Sequence, residues 1–148
     1  MTREEVISCL YDRYIKPTEQ KKDSYIGVEI EMPIVNLNGE AVDFDRVHLL
    51  TAAFLDEFGF TATGFDEEGH IYSAVNGENG DVFSYDCSYN NMEFSFGKEK
   101  NLFVIHDRFK TYYSFVQEFF KKYNYTLTGM GINPNRRVNH NLPIENGR

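Results

Sequence analysis

Apolar residues occupy every second position along one stretch of the chain, namely Ile26, Val28, Ile30, Met32 and Ile34. A period of two is the repeat of a β-strand, whose successive side chains point to opposite faces of the sheet. The pattern therefore predicts a strand over 26–34 with one buried face. The opposite face of the same strand carries two acids, Glu29 and Glu31.

Three segments place their apolar residues at intervals of three and four, which is typical of amphipathic helices. They cover residues 2–15, 43–58 and 98–123. Pro17 is expected to end the first helix, because a proline disfavours helical backbone in the residue before it. Gly59 follows the second helix and suits the left-handed conformation in which helices often end.

Shorter apolar runs, separated by turns that contain glycine, predict the remaining strands at 60–63, 71–75, 82–87, 92–96 and 125–132. Consecutive strands joined by short turns favour antiparallel pairing. The order of the elements thus predicts an α+β fold, in which helices cover one face of a mostly antiparallel sheet. We expect a single domain over 1–148, with 135–148 as a flexible tail.

Composition and charge narrow the class of protein. The chain has 148 residues, of which 41% are hydrophobic, and this is enough to form a packed core. Its net charge of −8, without any long Lys/Arg cluster, argues against a nucleic-acid partner, because such a partner requires a concentrated basic face. No apolar run approaches the roughly 20 residues that span a bilayer, so we expect no membrane partner.

The cysteines and histidines show no catalytic or metal-binding pattern. Cys9 and Cys87 lack the spacing of a metal or redox motif, which predicts two reduced and partly buried thiols in a cytoplasmic protein. His48 and His106 lie on predicted helices and are assigned to polar helix faces. The acidic run at 66–68 is assigned to a solvated hairpin loop. The chain also contains no phosphate-binding loop and no dinucleotide fingerprint.

The acids on the predicted strands are the candidates for a cation site. Glu29 and Glu31 emerge on one strand face about 7 Å apart. A tight hairpin with loop residues 89–90 would place Asp86 directly opposite Glu93, with their Cβ atoms about 5 Å apart. Two carboxylates at that distance repel each other unless a cation lies between them. The alternative is a solvated strand face, the ordinary role of acids that alternate with apolar residues.

Four motifs along the chain are specific in combination, although each is short. Residues 27–31 read Gly-Val-Glu-Ile-Glu, and residues 91–95 form a strand with an acid between apolar neighbours. Residues 127–134 contain a Gly-x-Gly-x-x-Pro pattern, and residues 144–148 end in Asn-Gly-Arg. In this order the motifs resemble conserved segments of the glutamate–cysteine ligase family. Asp86 falls where the bacterial branch of that family carries a further acid.

The resemblance implies a fold, a reaction and a ligand set. The fold is the glutamine-synthetase-like catalytic fold, in which the concave face of a curved sheet binds metal ions, nucleotide and amino acid. The reaction is the ATP- and Mg²⁺-dependent ligation of the γ-carboxyl of L-glutamate to L-cysteine through a γ-glutamyl phosphate, the first step of glutathione biosynthesis. Two or more Mg²⁺ ions are implied, with ATP as co-substrate. Their implied metal ligands are Glu29, Glu31, Asp86 and Glu93.

Members of this family are longer than the present chain, so the resemblance implies the N-terminal portion of a larger catalytic domain. Much of the nucleotide and cysteine contact would then lie downstream. We therefore expect this chain not to catalyse ligation alone, and we expect uncovered apolar surface to favour self-association.

Three alternatives to this function stay open at the level of the sequence. The chain is consistent with a γ-glutamyl ligase that uses another amine acceptor, because the acceptor pocket is not encoded here. It is also consistent with a non-catalytic metal-binding or assembly module of the same fold. A hydrolase with paired acids is the third alternative, but its acids would be two opposed groups and not a cluster on one strand face.

Overall fold

A computed structural model describes residues 1–19, 23–135 and 143–145. Its strands are β1 (Ile26–Asn36), β2 (Phe60–Phe65), β3 (Ile71–Asn76), β4 (Val82–Tyr85), β5 (Asn91–Glu99) and β6 (Tyr125–Leu127). Its α-helices are α1 (Arg3–Leu10), α2 (Lys16–Glu19), α3 (Phe44–Phe58) and α4 (Leu102–Lys121), and a π-helical turn at Tyr11–Ile15 joins α1 to α2.

Within the described residues the strands form one antiparallel sheet of six strands, in the order β2-β3-β4-β5-β1-β6. β2 to β5 pair in chain order through short turns, whereas β1 is inserted between β5 and β6. The first strand of the sequence therefore lies beside the strand that carries Glu93. The predicted α+β class with an antiparallel sheet is confirmed.

Helices α3 and α4 cover one face of the sheet, and an aromatic core fills the space between them and the strands. The Phe54 ring of α3 lies 4.7 Å from the Phe83 ring and 5.7 Å from the Phe94 ring, measured between centroids. It also lies 5.3 Å from the Tyr112 ring of α4. These aromatic rings are all buried, so the apolar face of the predicted strands is the face on which the helices pack.

Local capping sets the limits of both covering helices. Asp43 precedes α3, and its side chain accepts a hydrogen bond from the backbone N–H of Asp45. Gly59 ends α3 with φ 67°, the left-handed conformation expected from the sequence. Asn101 caps α4 in the same way as Asp43 caps α3, by accepting from the N–H of Phe103.

The predicted ends of the first helix and of the last strand were wrong. Helical structure continues through Pro17 into α2, because the hydrogen-bonding pattern has already changed in the π-helical turn just before it. The last strand, predicted over 125–132, ends at Leu127. It pairs with β1 only at Ile34 to Asn36, where β1 itself ends.

The predicted tail lies only partly within the described residues. The Asn135 side chain donates to the backbone oxygen of Asn36, with a distance of 2.9 Å. The segment 143–145 is also bound to the domain, because the N–H of Ile144 donates to the oxygen of Cys87 and the oxygen of Glu145 accepts from Glu67. Residues 136–142 and 146–148 are outside the described residues.

Candidate functional site

The sheet face opposite α3 and α4 is polar near its centre, where β4, β5 and β1 lie side by side. Alternation along β5 buries Met92, Phe94 and Phe96 on the helix side. Glu93 and Ser95 consequently point to the other face. On β1 the same alternation places Glu29 and Glu31 on the polar face, and both are exposed. We call this region the acidic face, defined by Glu29, Glu31, Glu93 and Asp86.

Glu31 of β1 lies directly opposite Glu93 of β5. Opposed residues in an antiparallel pair have Cβ atoms about 4.5–5.5 Å apart, so the two carboxylates are neighbours. The Ser95 hydroxyl donates to Glu93 Oε1 at 2.6 Å, and the Asn91 side-chain amide lies 3.4 Å from Glu31 Oε2. Each carboxylate thus has one polar neighbour and retains other lone pairs for a further ligand.

The predicted pairing of Asp86 with Glu93 was wrong. Glu93 faces Ser84 across the β4–β5 pair, and the N–H of Asp86 donates to the oxygen of Asn91. The loop is longer than two residues because β4 ends at Tyr85, two residues earlier than predicted. Cys87 in this loop has φ 61°, a left-handed conformation that reverses the chain. Cys87 and Cys9 are both exposed, so the predicted partial burial of the two thiols was wrong.

Asp86 nevertheless lies close to Glu93. Asp86 and Glu93 line the same open cavity of about 510 Å³, together with Ser84, Cys87 and Ile144. The pKa of the Cys87 thiol is raised, chiefly because the thiol donates to Asp86 Oδ1 at 3.2 Å and lies beside that charge. A smaller contribution to the raised pKa comes from Glu31, so the acids of β1 and of the β4–β5 loop act on the same thiol.

Mg²⁺ is the cation that the motif resemblance implies at the acidic face. Among residues 1–19, 23–135 and 143–145, no three His, Cys, Asp or Glu side chains converge on a common metal position. Mg²⁺ is commonly held by one or two carboxylates, with water and substrate phosphates as its other ligands. The opposed carboxylates of Glu31 and Glu93 fit that kind of site. They do not form a cage made of protein ligands alone.

A second polar cluster was missed by the sequence analysis. Asp66, assigned to a solvated loop, has a side chain that is only 9% exposed. It accepts from the Tyr89 hydroxyl at 2.9 Å and from the backbone N–H of His70 at 2.7 Å. Burial would raise the pKa of Asp66, but these hydrogen bonds and the nearby His70 ring lower it. The acidic run at 66–68 therefore contains a structural carboxylate as well as solvated ones.

His48 belongs to the same cluster. Its ring stacks on the ring of His70, with centroids 3.9 Å apart, and meets the Tyr89 ring edge-on at 4.5 Å. Burial, followed by the proximity of His70, lowers the pKa of His48. No periodic pattern could have identified this cluster, because its members come from α3, the β2–β3 turn and the β4–β5 loop.

No helix formed by the described residues is both long and apolar enough to cross a membrane. Neither the comparison with protein-family models nor that with curated proteins found a match for this chain. The assignment of a function therefore depends on the motifs of the chain and on the geometry of its acidic face.

Proposed function

We propose that the acidic face is the magnesium- and phosphate-binding floor of an ATP-dependent carboxylate–amine ligase of the glutamate–cysteine ligase type. The observation that carries the proposal is the direct opposition of Glu31 and Glu93 across β1 and β5. These two acids are distant in the chain, and the motif resemblance names both as metal ligands. An antiparallel sheet with helices on one face is also compatible with a glutamine-synthetase-like catalytic fold.

The proposed ligands are Glu31 and Glu93, with Glu29 and Asp86 at the sides. Glu29 is two residues from Glu31 on the same face of β1, opposite Ser95. Asp86 shares a cavity with Glu93. Bound Mg²⁺ would neutralise phosphate charge and orient a transferring phosphoryl group. The protein residues supply oxygen ligands, and none of the four acids is proposed as a general base.

In the proposed reaction the γ-carboxylate of glutamate attacks the terminal phosphorus of ATP, which gives γ-glutamyl phosphate and ADP. The amine of cysteine then attacks the acyl carbon, and inorganic phosphate leaves. Such chemistry needs positioning and charge neutralisation more than a nucleophilic side chain. Carboxylates clustered on one sheet face could hold the Mg²⁺ ions that supply this neutralisation.

A hydrolase with paired acids is less well supported by the same geometry. In glycosidases the two carboxyl groups flank the scissile bond, at separations of about 5 Å or more, and act as acid and nucleophile or base. Glu31 and Glu93 are instead direct cross-strand neighbours on one surface. That arrangement presents both carboxylates from one sheet surface and does not place them on two sides of a bound group, which suits a cation bound above both.

Calorimetric titration tests the proposal. Mg²⁺, and then Mg²⁺ with a non-hydrolysable ATP analogue, would be added to the wild-type chain and to a Glu31→Gln/Glu93→Gln variant. We expect heat of binding for the wild type and its loss in the variant. The matched control is Glu57→Gln/Glu118→Gln, which removes two exposed helical acids and should leave binding unchanged. Equal binding by both variants would show that the acidic face is only a solvated surface.

A further inference from the structure

A single row of facing residues crosses the sheet from β1 to β2. Glu31 faces Glu93, Glu93 faces Ser84, and Ser84 faces Ser73. At the β2 end of the row Ser73 faces Gly64, which has no side chain. Directly opposed residues of antiparallel strands share a sheet face, so the two serine hydroxyls lie on the same surface as the opposed carboxylates. We call Ser73 and Ser84 the serine pair.

Both hydroxyls of the serine pair are able to donate a further hydrogen bond. Ser73 Oγ accepts from the Thr63 hydroxyl at 3.3 Å, and its own proton has no acceptor among the described residues. Within the same part of the chain the Ser84 hydroxyl forms no hydrogen bond. Ser95 differs, because its hydroxyl donates to Glu93 Oε1 at 2.6 Å. The serine pair is therefore the part of the row that can donate to a bound molecule.

The serine pair lines the same open cavity of about 510 Å³ as Asp86 and Glu93. No lysine or arginine of the described ranges lines this cavity. The two carboxylates would therefore repel an anion that entered without a cation. Mg²⁺ removes this repulsion, because it takes carboxylate and phosphate oxygens as ligands together. The cavity thus suits a phosphate group that arrives with Mg²⁺.

The spacing of the strands sets how far such a ligand would extend. Adjacent strands are about 4.8 Å apart, so Ser84 is one spacing from Glu93 and Ser73 is two spacings, or about 10 Å. A polyphosphate chain that begins at Glu93 and follows the row passes both hydroxyls. A ligand ammonium group would prefer the carboxylates, because charged acceptors form stronger hydrogen bonds than neutral hydroxyls do. The serine pair therefore favours phosphate over an amine.

We propose that the serine pair holds the polyphosphate chain of a magnesium–nucleotide complex by donating hydrogen bonds to its phosphate oxygens. The chain then runs across the strands from β5 towards β3, and not along them. Neither hydroxyl is ionised or transferred, so the pair orients the nucleotide and takes no part in bond breaking. The inference rests on the proposed function, because the phosphates need the cation that Glu31 and Glu93 are proposed to bind.

Calorimetric titration with tripolyphosphate tests the inference, because this probe has a polyphosphate chain and no nucleoside. Mg²⁺ alone, and then Mg²⁺ with tripolyphosphate, would be added to the wild-type chain and to Ser73→Ala/Ser84→Ala. We expect the variant to bind Mg²⁺ alone as the wild type does. Its affinity for tripolyphosphate should fall about tenfold, as for the loss of two neutral hydrogen bonds. A non-hydrolysable ATP analogue should show the same loss.

A matched control removes two hydroxyls outside the row. Thr61→Ala/Ser114→Ala changes one exposed residue of β2 and one exposed residue of α4, and it should bind Mg²⁺ and tripolyphosphate with wild-type affinity. The single variant Ser84→Ala should lose about threefold in affinity for tripolyphosphate, since one hydrogen bond remains. Thermal unfolding of each variant checks that it is folded before titration.

The titrations distinguish a failure of this inference from a failure of the proposed function. Tripolyphosphate binding that survives in the serine variant but is lost in Glu31→Gln/Glu93→Gln would overturn only the inference. A wild-type chain that binds Mg²⁺ but no tripolyphosphate would also overturn it, as would a serine variant that no longer binds Mg²⁺ alone. A wild-type chain that binds neither Mg²⁺ nor its tripolyphosphate complex would overturn both.

Discussion

Asp81 and Arg108 form an ion pair inside the domain, with Asp81 Oδ1 3.0 Å from Arg108 Nη1. The Asp81 side chain is 2% exposed and the Arg108 side chain 16% exposed. Asp81 also accepts from the N–H of Gly97 and from the Tyr112 hydroxyl. Burial raises the pKa of that hydroxyl to about 12. The pair therefore joins the β3–β4 turn to β5 and α4, behind the acidic face.

We expect Asp81→Asn to lower the free energy of unfolding by about 2 kcal/mol, because it removes the buried partner of Arg108 and leaves only the partly exposed ion pair with Glu99. Urea unfolding measures the change. The control is Glu118→Gln, which breaks the exposed 3.7 Å ion pair with Lys121 and should cost about 0.5 kcal/mol or less. Equal effects of the two substitutions would contradict a specific role for the buried pair.

Gly97 is required where β5 passes the β3–β4 turn. A Cβ atom at this position would overlap the backbone oxygen of Asn79, which cannot move as a flexible side chain does. We expect Gly97→Ala to lower the free energy of unfolding by about 3 kcal/mol, as overpacking does. Gly27→Ala is the matched control in β1, since its Cβ would meet no atom within 4 Å. In thermal unfolding, the melting temperature of Gly97→Ala should lie clearly below that of Gly27→Ala. Similar melting temperatures would refute the close approach of Gly97 to the backbone of Asn79.

The partly buried imidazole of His48 makes stability depend on pH. The pKa of His48 is lowered in the folded chain, so the unfolded chain binds a proton more readily. Stability must therefore rise with pH through the interval from the lowered pKa up to the unfolded value, about 6.5. We expect the free energy of unfolding to fall as the pH is lowered from about 7.5 towards 5.

Substitution of His48 checks the source of that dependence. In His48→Gln the slope of unfolding free energy against pH should be smaller than in the wild type over the same interval. His106→Gln removes a mainly exposed histidine of α4 and should leave the slope unchanged. If the wild-type and His48→Gln slopes coincide, another group is responsible for the pH dependence.

The opposition of Glu31 and Glu93 predicts a stability effect of its own. Like charges directly opposite each other destabilise an antiparallel pair, so Glu31→Gln should raise the free energy of unfolding by about 0.5 kcal/mol at low salt without divalent ions. Glu29→Gln is the control, because Glu29 is on the same face of β1 but faces Ser95. Added Mg²⁺ should remove the advantage of the Gln variant by stabilising only the wild type. An equal gain in unfolding free energy for both variants would contradict a specific repulsion between Glu31 and Glu93. It would indicate that the net negative charge of the chain is the cause.

Much of the fold could be predicted because its signals are local. The alternation from Ile26 to Ile34 predicted β1 and, as far as Met32, the face on which it is buried; beyond Met32 both faces are buried. Helical periodicity predicted α3, α4 and the N-terminal helical segment, and Gly59 marked the end of α3 correctly. These features depend on neighbouring residues alone, since side-chain period and terminal conformation are properties of a short stretch of backbone.

The partners of the acids were decided by the tertiary structure. The residues around Glu93 are compatible with several hairpin registers, and the end of β4 at Tyr85 set a register in which Glu93 faces Ser84. The insertion of β1 beside β5 then brought Glu31 opposite Glu93. Asp66 was likewise buried by Tyr89 from a distant loop. The sequence by itself determined which faces are apolar and which carry acids. Which acids become neighbours was determined only by the pairing of distant strands, because loop length and strand order bring together residues whose local patterns contain no information about each other.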